Sequence, residues 1–150
     1  MVPPPVAGAP DLRDVVDALQ ARASAHLTQG PVPEREVAEF AKRLDVALPA
    51  GLVALMTQVG NGIFFGEDEL FGPRRLMVHD IELVPDMLTV KSGLPTLPAT
   101  WLPFHRRGRV VHAVELGAVG YGSVSSWPAG SSWPDVASFA RALLSRPADR

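Results

Sequence analysis

The residues that could carry chemistry include four histidines, and they do not form a known catalytic or metal-binding pattern. His79-Asp80-Ile81-Glu82 is the one place where a histidine and two acids crowd together. Zinc sites need three or four converging ligands, which helical sites supply as H-x-x-x-H or H-E-x-x-H. This segment has neither spacing, so the sequence favours a solvated turn over a metal site.

Serines and glycines are also arranged unlike known catalytic motifs. The nucleophilic serine of many hydrolases lies in a G-x-S-x-G motif at a strand-to-helix elbow. Gly122-Ser123-Val124-Ser125 does not match this motif. Gly117 to Gly122 lacks the lysine of a phosphate loop and precedes a predicted strand, so it indicates a hairpin turn. Cysteine is absent, which removes thiol catalysis and disulfides. We therefore predict that the chain is not an enzyme and uses no cofactor and no metal.

One basic segment, His105-Arg106-Arg107-Gly108-Arg109, lies near several aromatic residues. Arginine and aromatic side chains together are typical of single-stranded nucleic-acid sites and of protein interface hot spots. Phosphate binding normally needs more cations, and the formal net charge is −2, which disfavours nucleic acid. A solvated hairpin tip, a protein contact and a nucleic-acid contact all remain open. The predicted partner-binding residues are Phe64, Phe65, Arg106, Arg107, Tyr121 and Trp127.

Length and composition predict one domain with an ordinary core. The chain has 150 residues, of which 47% are hydrophobic and 20% charged, close to globular averages. Residues 1–10 hold four prolines and predict a disordered lead-in, residues 11–146 one domain, and residues 147–150 a tail. The first residues have no signal-peptide pattern, and no apolar run reaches the twenty or so residues of a membrane span. We therefore expect a cytoplasmic protein without membrane contacts.

Helical spacing dominates the first sixty residues. Asp11 has the chemistry of an N-cap, and apolar residues from Leu12 to Leu27 predict a first helix that ends before Gly30-Pro31. A second helix begins near Pro33, and a third follows Leu48-Pro49 and ends at Gly60-Asn61-Gly62.

The remainder predicts short strands and one closing helix. Strands are expected at Ile63 to Phe65, Leu70-Phe71, Leu76 to Val78, Trp101 to Phe104, Arg109 to Leu116 and Ser123 to Trp127. Asp80 to Lys91 stays ambiguous, because its spacing is helical but Pro85 interrupts it. Ser132 and Asp135 predict the start of a last helix. The fold class is α+β, with a mixed or antiparallel sheet of about five to six short strands packed against helices.

The order of these segments resembles the SUKH superfamily. Glu36 to Pro49 resembles a family helix that ends in Leu-Pro, and Leu52 to Val59 with Gly60-Asn61-Gly62 resembles the next helix, which ends in Asn-Gly. Leu70-Phe71-Gly72, Trp101 to Phe104, and the helix from Val136 to Leu144 follow in the family's order. The superfamily includes Smi/Knr-type cell-wall-assembly regulators and many bacterial immunity proteins.

The resemblance implies a SUKH-like sheet backed by helices and a protein partner. It predicts an immunity protein that binds and neutralises a cognate bacterial toxin encoded nearby. The alternatives are an adaptor or regulatory scaffold of the same fold, and a single-stranded nucleic-acid-binding protein that uses Arg106 to Arg109. The family usually has an acidic, glycine-rich turn where this sequence has the basic segment from His105 to Arg109.

Overall fold

A computed structural model describes residues 10–20, 26–28, 31–60, 63–65, 68–128 and 130–145. The predicted lead-in at residues 1–10 lies outside these ranges except for residue 10, and the tail at residues 147–150 lies wholly outside them. The elements in chain order are α1 (Arg13–Gln20), β1 (His26–Thr28), α2 (Glu34–Leu44), α3 (Ala50–Ala54) with a π-helical turn (Leu55–Val59), β2 (Ile63–Phe65), β3 (Asp68–Leu70), β4 (Leu76–Val78), β5 (Ile81–Val84), α4 (Met87–Ser92), β6 (Trp101–Arg107), β7 (Val110–Glu115), β8 (Val124–Trp127), β9 (Ser132–Trp133) and α5 (Val136–Ser145).

The described strands form two antiparallel sheets. The larger has seven strands in the order β1-β2-β3-β6-β7-β8-β9, and β4 pairs with β5 in a separate hairpin. The predicted α+β class is confirmed. The larger sheet exceeds the predicted five to six strands partly because the very short β1 and β9 carry no strand pattern of their own.

The predicted extent of the first helix is wrong. Helix α1 ends at Gln20, and His26 to Thr28 pair with β2 as strand β1. Helical spacing in the sequence continues through this point, but pairing with Ile63 to Phe65 determines the conformation there. The N-cap prediction holds, since the Arg13 N–H donates a 2.9 Å hydrogen bond to Asp11 Oδ1.

The ambiguous segment from Asp80 to Lys91 contains both a strand and a helix. Strand β5 ends at Val84, before Pro85, and Asp86 begins α4 by accepting a hydrogen bond from the Thr89 N–H at 2.9 Å. Proline therefore separates the two elements, as its missing N–H and fixed φ require.

The core lies between the large sheet and the helices. Helix α5 packs on α1, on α3 and on β9. The Cβ that a larger residue would place at Gly51 of α3 lies 3.0 Å from Val136 Cβ of α5, so these two helices approach closely. The most buried large side chains are Phe40, Phe71, Phe104, Leu12, Leu52, Met56, Leu76, Met87, Leu102 and His105.

A bulge in β6 turns two consecutive side chains toward α5. The register between β6 and β7 shifts between Pro103 and His105. The rings of Phe104 and His105 then lie 5.3 Å and 5.2 Å from the ring of Phe139. In a regular strand, neighbouring residues point to opposite faces, so this shared contact depends on the bulge. No helix in the described ranges is both long and apolar enough to span a bilayer.

Candidate functional site

Strand register brings three of the predicted contact residues into one row across the sheet. Phe64 pairs with Glu69, Glu69 with Arg106, Arg106 with Val111, and Val111 with Trp127. Registered partners share a face of a sheet, so this row joins positions more than sixty residues apart. Trp127 is half-buried in the row. The backbone of Phe64 is part of β2, and its side chain lies outside the described part of the chain.

A second row begins at Phe65, the residue after Phe64. Phe65 pairs with Asp68, Asp68 with Arg107, and Arg107 with Val110. The side chain of Phe65 is also outside the described part, whereas Arg107 is half-buried. Five of the six predicted contact residues therefore belong to the half of the sheet near the β6–β7 turn.

The guanidinium of Arg106 is held by its neighbours in the fold. It donates hydrogen bonds of 3.0 Å from Nε and 3.1 Å from Nη2 to the carboxylate of Glu69. Its Cζ also lies 5.4 Å from the centre of the Phe71 ring. A bidentate pair of this kind uses donors that a phosphate would otherwise occupy. The contact explains why Arg106 is at this position without any partner molecule.

Tyr121, the sixth predicted contact residue, lies at the opposite end of the sheet. It belongs to the loop between β7 and β8, next to the end where Trp101 pairs with Glu115. Six residue steps along β6 separate this end from Arg107, a distance of about 20 Å. The structure therefore divides the predicted contact residues between two sites.

Tyr121 borders a groove of about 280 Å³ at this end of the sheet. The walls are the start of α3, the β7–β8 loop and the start of α5, with Pro49, Gly51, Gly122, Pro134 and Val136 among the lining residues. We call this the Tyr121 groove. Tyr121 is 45% exposed, and its neighbour Val119 is 90% exposed. The groove thus has a partly exposed tyrosine at its edge, and the loop that carries this tyrosine also exposes Val119.

The ring of Tyr121 is fixed although it is partly exposed. Its hydroxyl donates a 2.6 Å hydrogen bond to the carbonyl oxygen of Ala47, between α2 and α3. Burial raises the pKa of the Tyr121 hydroxyl above its ordinary value. The side chain therefore stays a neutral donor to higher pH than a free tyrosine.

Glu115 holds the base of the loop. Its carboxylate accepts hydrogen bonds from the Trp101 indole N–H at 3.1 Å and from the Gly117 N–H at 2.9 Å. Burial raises the pKa of Glu115, but the hydrogen bonds from Thr100, Gly117 and Trp101 together lower it below its ordinary value. The backbone closes the same loop through bonds from Gly122 N–H to Glu115 and from Ser123 N–H to Gly120.

Three acidic side chains lie near the starts of α1 and α5, and one of them lines the groove. Asp135 lines the groove, and Asp11 and Asp14 lie close to Arg141. Arg141 donates a 2.8 Å hydrogen bond to Asp14, and Arg13 pairs with Asp11 at 3.2 Å. Three carboxylates thus share two guanidinium groups. The acidic rim is this set of three carboxylates.

A solved protein has the same fold as this chain. The crystal structure of a protein from Pseudomonas syringae pv. tomato aligns with a TM-score of 0.64 and 18% sequence identity, covering 87% of this chain and 98% of that one. No protein-family model and no curated protein matches the sequence. The likeness concerns the fold, and the function is inferred from the residues themselves.

A row of buried polar side chains that crosses three strands was not predicted from the sequence. Nε2 of His105 lies 2.8 Å from Asp68 Oδ1, and Nδ1 of His105 lies 2.9 Å from Nδ1 of His112. All three side chains are buried. No sequence motif indicates this arrangement, because Asp68, His105 and His112 come together only through strand pairing. The available signal was His112 in a predicted strand, whereas His105 was assigned to the basic segment at the hairpin tip and is instead buried in β6.

A serine also lies next to these buried polar side chains. Ser126 pairs with His112 across β7 and β8 and is itself buried. Its backbone N–H donates to the Ser131 carbonyl oxygen. Trp133 and Phe139 pack on the His112 ring, so aromatic side chains cover these buried polar groups.

The residues considered for metal binding form a turn. His79 and Asp80 have positive φ angles of 50° and 65° between β4 and β5, and both are exposed. Glu82 pairs with Arg75 at 3.5 Å. Within the described ranges, no three His, Cys, Asp or Glu side chains are grouped to hold a metal ion. Gly117 to Gly122 lie in the β7–β8 loop, where a turn was predicted.

Proposed function

We propose that this chain is a protein-binding domain that docks a partner in the Tyr121 groove, and that the partner is a bacterial toxin domain which it neutralises as an immunity protein. The observation that carries the proposal is the fixed, half-exposed ring of Tyr121 beside an apolar groove. Interface hot spots are enriched in tyrosine and lie at well-packed concave sites. Holding the ring before binding reduces the side-chain entropy that binding costs.

The acidic rim favours a partner segment that combines an apolar side chain with a basic one. The apolar side chain enters between Pro49 and Pro134, and the basic side chain approaches Asp135. Complementary charge speeds association and selects between partners. A cationic toxin domain, for which the basic β6–β7 turn is a poor match, therefore fits the Tyr121 groove at the other end of the sheet.

The toxin as partner is inferred from the ordered resemblance of the sequence to the SUKH superfamily. The groove by itself supports protein binding, and an adaptor of the same fold would use it equally well. Cell survival distinguishes an immunity protein from an adaptor. Co-expression of the chain with an active toxin encoded beside it rescues growth if the chain is an immunity protein. Binding without rescue supports an adaptor and contradicts the immunity proposal.

Binding itself is tested with a catalytically inactive form of the neighbouring toxin domain. Isothermal titration calorimetry and size-exclusion chromatography with light scattering should show one complex of defined ratio. Val119→Ser should weaken the complex, because it removes an exposed apolar side chain next to the groove. Ile81→Ser is the matched control, since Ile81 is 62% exposed on β5 and lies away from the groove. Equal weakening by both variants would argue against docking in the groove.

A further inference from the structure

The buried chain of Asp68, His105 and His112 supports a second inference, independent of any partner. The three residues lie on adjacent strands, β3, β6 and β7. Asp68 is 6% exposed, His105 0% and His112 8%. Titratable groups at such depth need partners that match their protonation state, since a buried polar group without a matching partner destabilises the fold.

The distances between Asp68, His105 and His112 define where the hydrogens lie between these side chains. An ionised carboxylate only accepts, so Nε2 of His105 carries a hydrogen and donates it to Asp68. The two Nδ1 atoms are 2.9 Å apart, so a single hydrogen lies between them, with one ring as donor and the other as acceptor.

The histidine pair therefore tolerates one positive charge and not two. With three ring hydrogens, the pair carries one charge that balances the Asp68 carboxylate. A fourth hydrogen would place N–H against N–H at the Nδ1 contact, and two positive charges side by side in a site from which water is excluded. The second positive charge thus breaks the contact between the two rings.

Helix α5 and β9 rest on these two rings. Phe139 of α5 lies 5.2 Å from His105 and 4.6 Å from His112, and Trp133 of β9 lies 5.3 Å from His112, all between ring centres. Separation of the rings would displace both aromatic side chains. The pair therefore couples a protonation event to the packing of α5 on the sheet.

The other charged groups on the surrounding elements have contacts of their own. Glu69 of β3 binds Arg106 of β6, and Glu115 of β7 binds Trp101 and Gly117. On α5, Arg141 binds Asp14, while Asp135 accepts from the Ser138 N–H at 2.7 Å. Arg107 of β6 stands opposite Asp68 in register, and β8 contributes the uncharged Ser126 opposite His112. Among the described residues, Asp68 is a carboxylate in direct contact with the pair.

We propose that the His105–His112 pair is a proton-operated lock that holds α5 on the sheet at neutral pH and releases it when both rings become protonated. Pro134, Asp135 and Val136, between Trp133 and Phe139, line the Tyr121 groove. Release of the lock therefore moves one wall of the groove and lowers partner affinity at acid pH. This last consequence rests on the proposed function, whereas the lock itself does not.

The lock is tested on the wild-type protein without a partner. Histidine side-chain ¹⁵N NMR is recorded from about pH 8 to about pH 4.5, the range in which imidazoles titrate. We expect a nitrogen–nitrogen coupling between the two Nδ1 atoms at neutral pH that disappears on acidification. At the same midpoint, amide exchange in Val136 to Leu143 should rise about tenfold or more after correction for intrinsic exchange. Amides of α2 serve as the internal reference.

Two results would overturn the lock. One is the absence of the coupling at neutral pH, and the other is unchanged protection of α5 after both rings are fully protonated. His112→Gln should abolish the acid-induced release of α5, because the amide does not titrate, while His79→Asn in the exposed β4–β5 turn should leave it intact. If His112→Gln does not fold, the wild-type titration still decides. If the titration shows the lock but the protein binds no toxin, the lock is supported and only the proposed function is refuted.

Discussion

The hydroxyl of Tyr121 donates a 2.6 Å hydrogen bond to the carbonyl oxygen of Ala47, 74 residues earlier in the chain. The contact joins the β7–β8 loop to the segment between α2 and α3. It holds the side chain at the edge of the Tyr121 groove, where Tyr121 remains partly exposed. The proposed docking surface depends on this single long-range contact more than on any other.

The first prediction concerns the ionisation of Tyr121. Because burial raises the pKa of this hydroxyl, its phenolate should form above the ordinary value of 10.0. The associated stabilisation is fully present below the unfolded-state pKa and is lost as pH rises through the folded pKa. Tyr121 is the one tyrosine of the chain, so an alkaline absorbance titration reports on it alone. A midpoint at or below that of the urea-unfolded chain would contradict the buried contact.

The second prediction concerns Glu115 at the base of the loop. Glu115→Gln should destabilise the protein by about 1 kcal/mol at neutral pH, because the hydrogen bonds from Trp101 and Gly117 lose their charged acceptor. The pKa of Glu115 is lowered in the folded state. Its contribution is therefore present above the ordinary value of 4.5 and is lost as pH falls through the lower folded pKa.

Urea denaturation of both proteins at about pH 7 and about pH 3 measures this effect. The difference in the free energy of unfolding between wild type and Glu115→Gln should shrink at the lower pH, as the Glu115 carboxylate takes up a proton. A constant difference at both values would show that the charge of Glu115 does not support the loop.

The third prediction concerns the close approach of α3 to α5. Gly51→Ala should destabilise the protein by about 1–3 kcal/mol, because the added Cβ meets Val136 Cβ at 3.0 Å. Gly93→Ala is the matched control. Its Cβ meets only ordinary contacts of 3.5 Å and more, and its φ of −81° suits alanine. Equal denaturation midpoints for Gly51→Ala and wild type would mean that the helices are less tightly packed than described.

The fourth prediction concerns nucleic acid. The guanidinium of Arg106 is bound to Glu69, so single-stranded oligonucleotides should show no binding by fluorescence anisotropy even at low salt, where phosphate contacts are strongest. Glu69→Gln frees donors of Arg106 and is the informative comparison. Binding by wild type that weakens with salt would favour the nucleic-acid alternative from the sequence.

Elements set by local chemistry could be predicted from the sequence. The last helix is an example, since Asp135 caps it through Ser138 and its apolar spacing continues to the end. The predicted contribution of Ser132 to this cap is wrong, because Ser132 pairs with Ser125 as part of β9. The α+β class follows from the order of such elements. Strand β1 could not be predicted, because His26 to Thr28 have helical spacing and become a strand only through pairing with β2.

The site was less accessible to prediction than the fold. Arg106 and Trp127 were chosen for their residue types, but the binding of Arg106 by Glu69 depends on register across two strands. The burial of His105 beside Phe104 depends on a β-bulge, and no turn-forming residue at this position predicts the bulge. Tyr121 was also chosen by type, whereas its groove is formed by the starts of two helices distant in sequence.

The most direct test of the account is the affinity of the proposed partner, a catalytically inactive toxin domain, for Tyr121→Ala, measured by calorimetry beside wild type and Ile81→Ala. If the Tyr121 groove is the docking surface, Tyr121→Ala weakens binding by about thirtyfold or more, as expected for a hot spot of 2 kcal/mol. Ile81→Ala stays within about twofold, as an energetically neutral surface position should. A Tyr121→Ala variant that folds and binds as tightly as wild type would contradict the central claim.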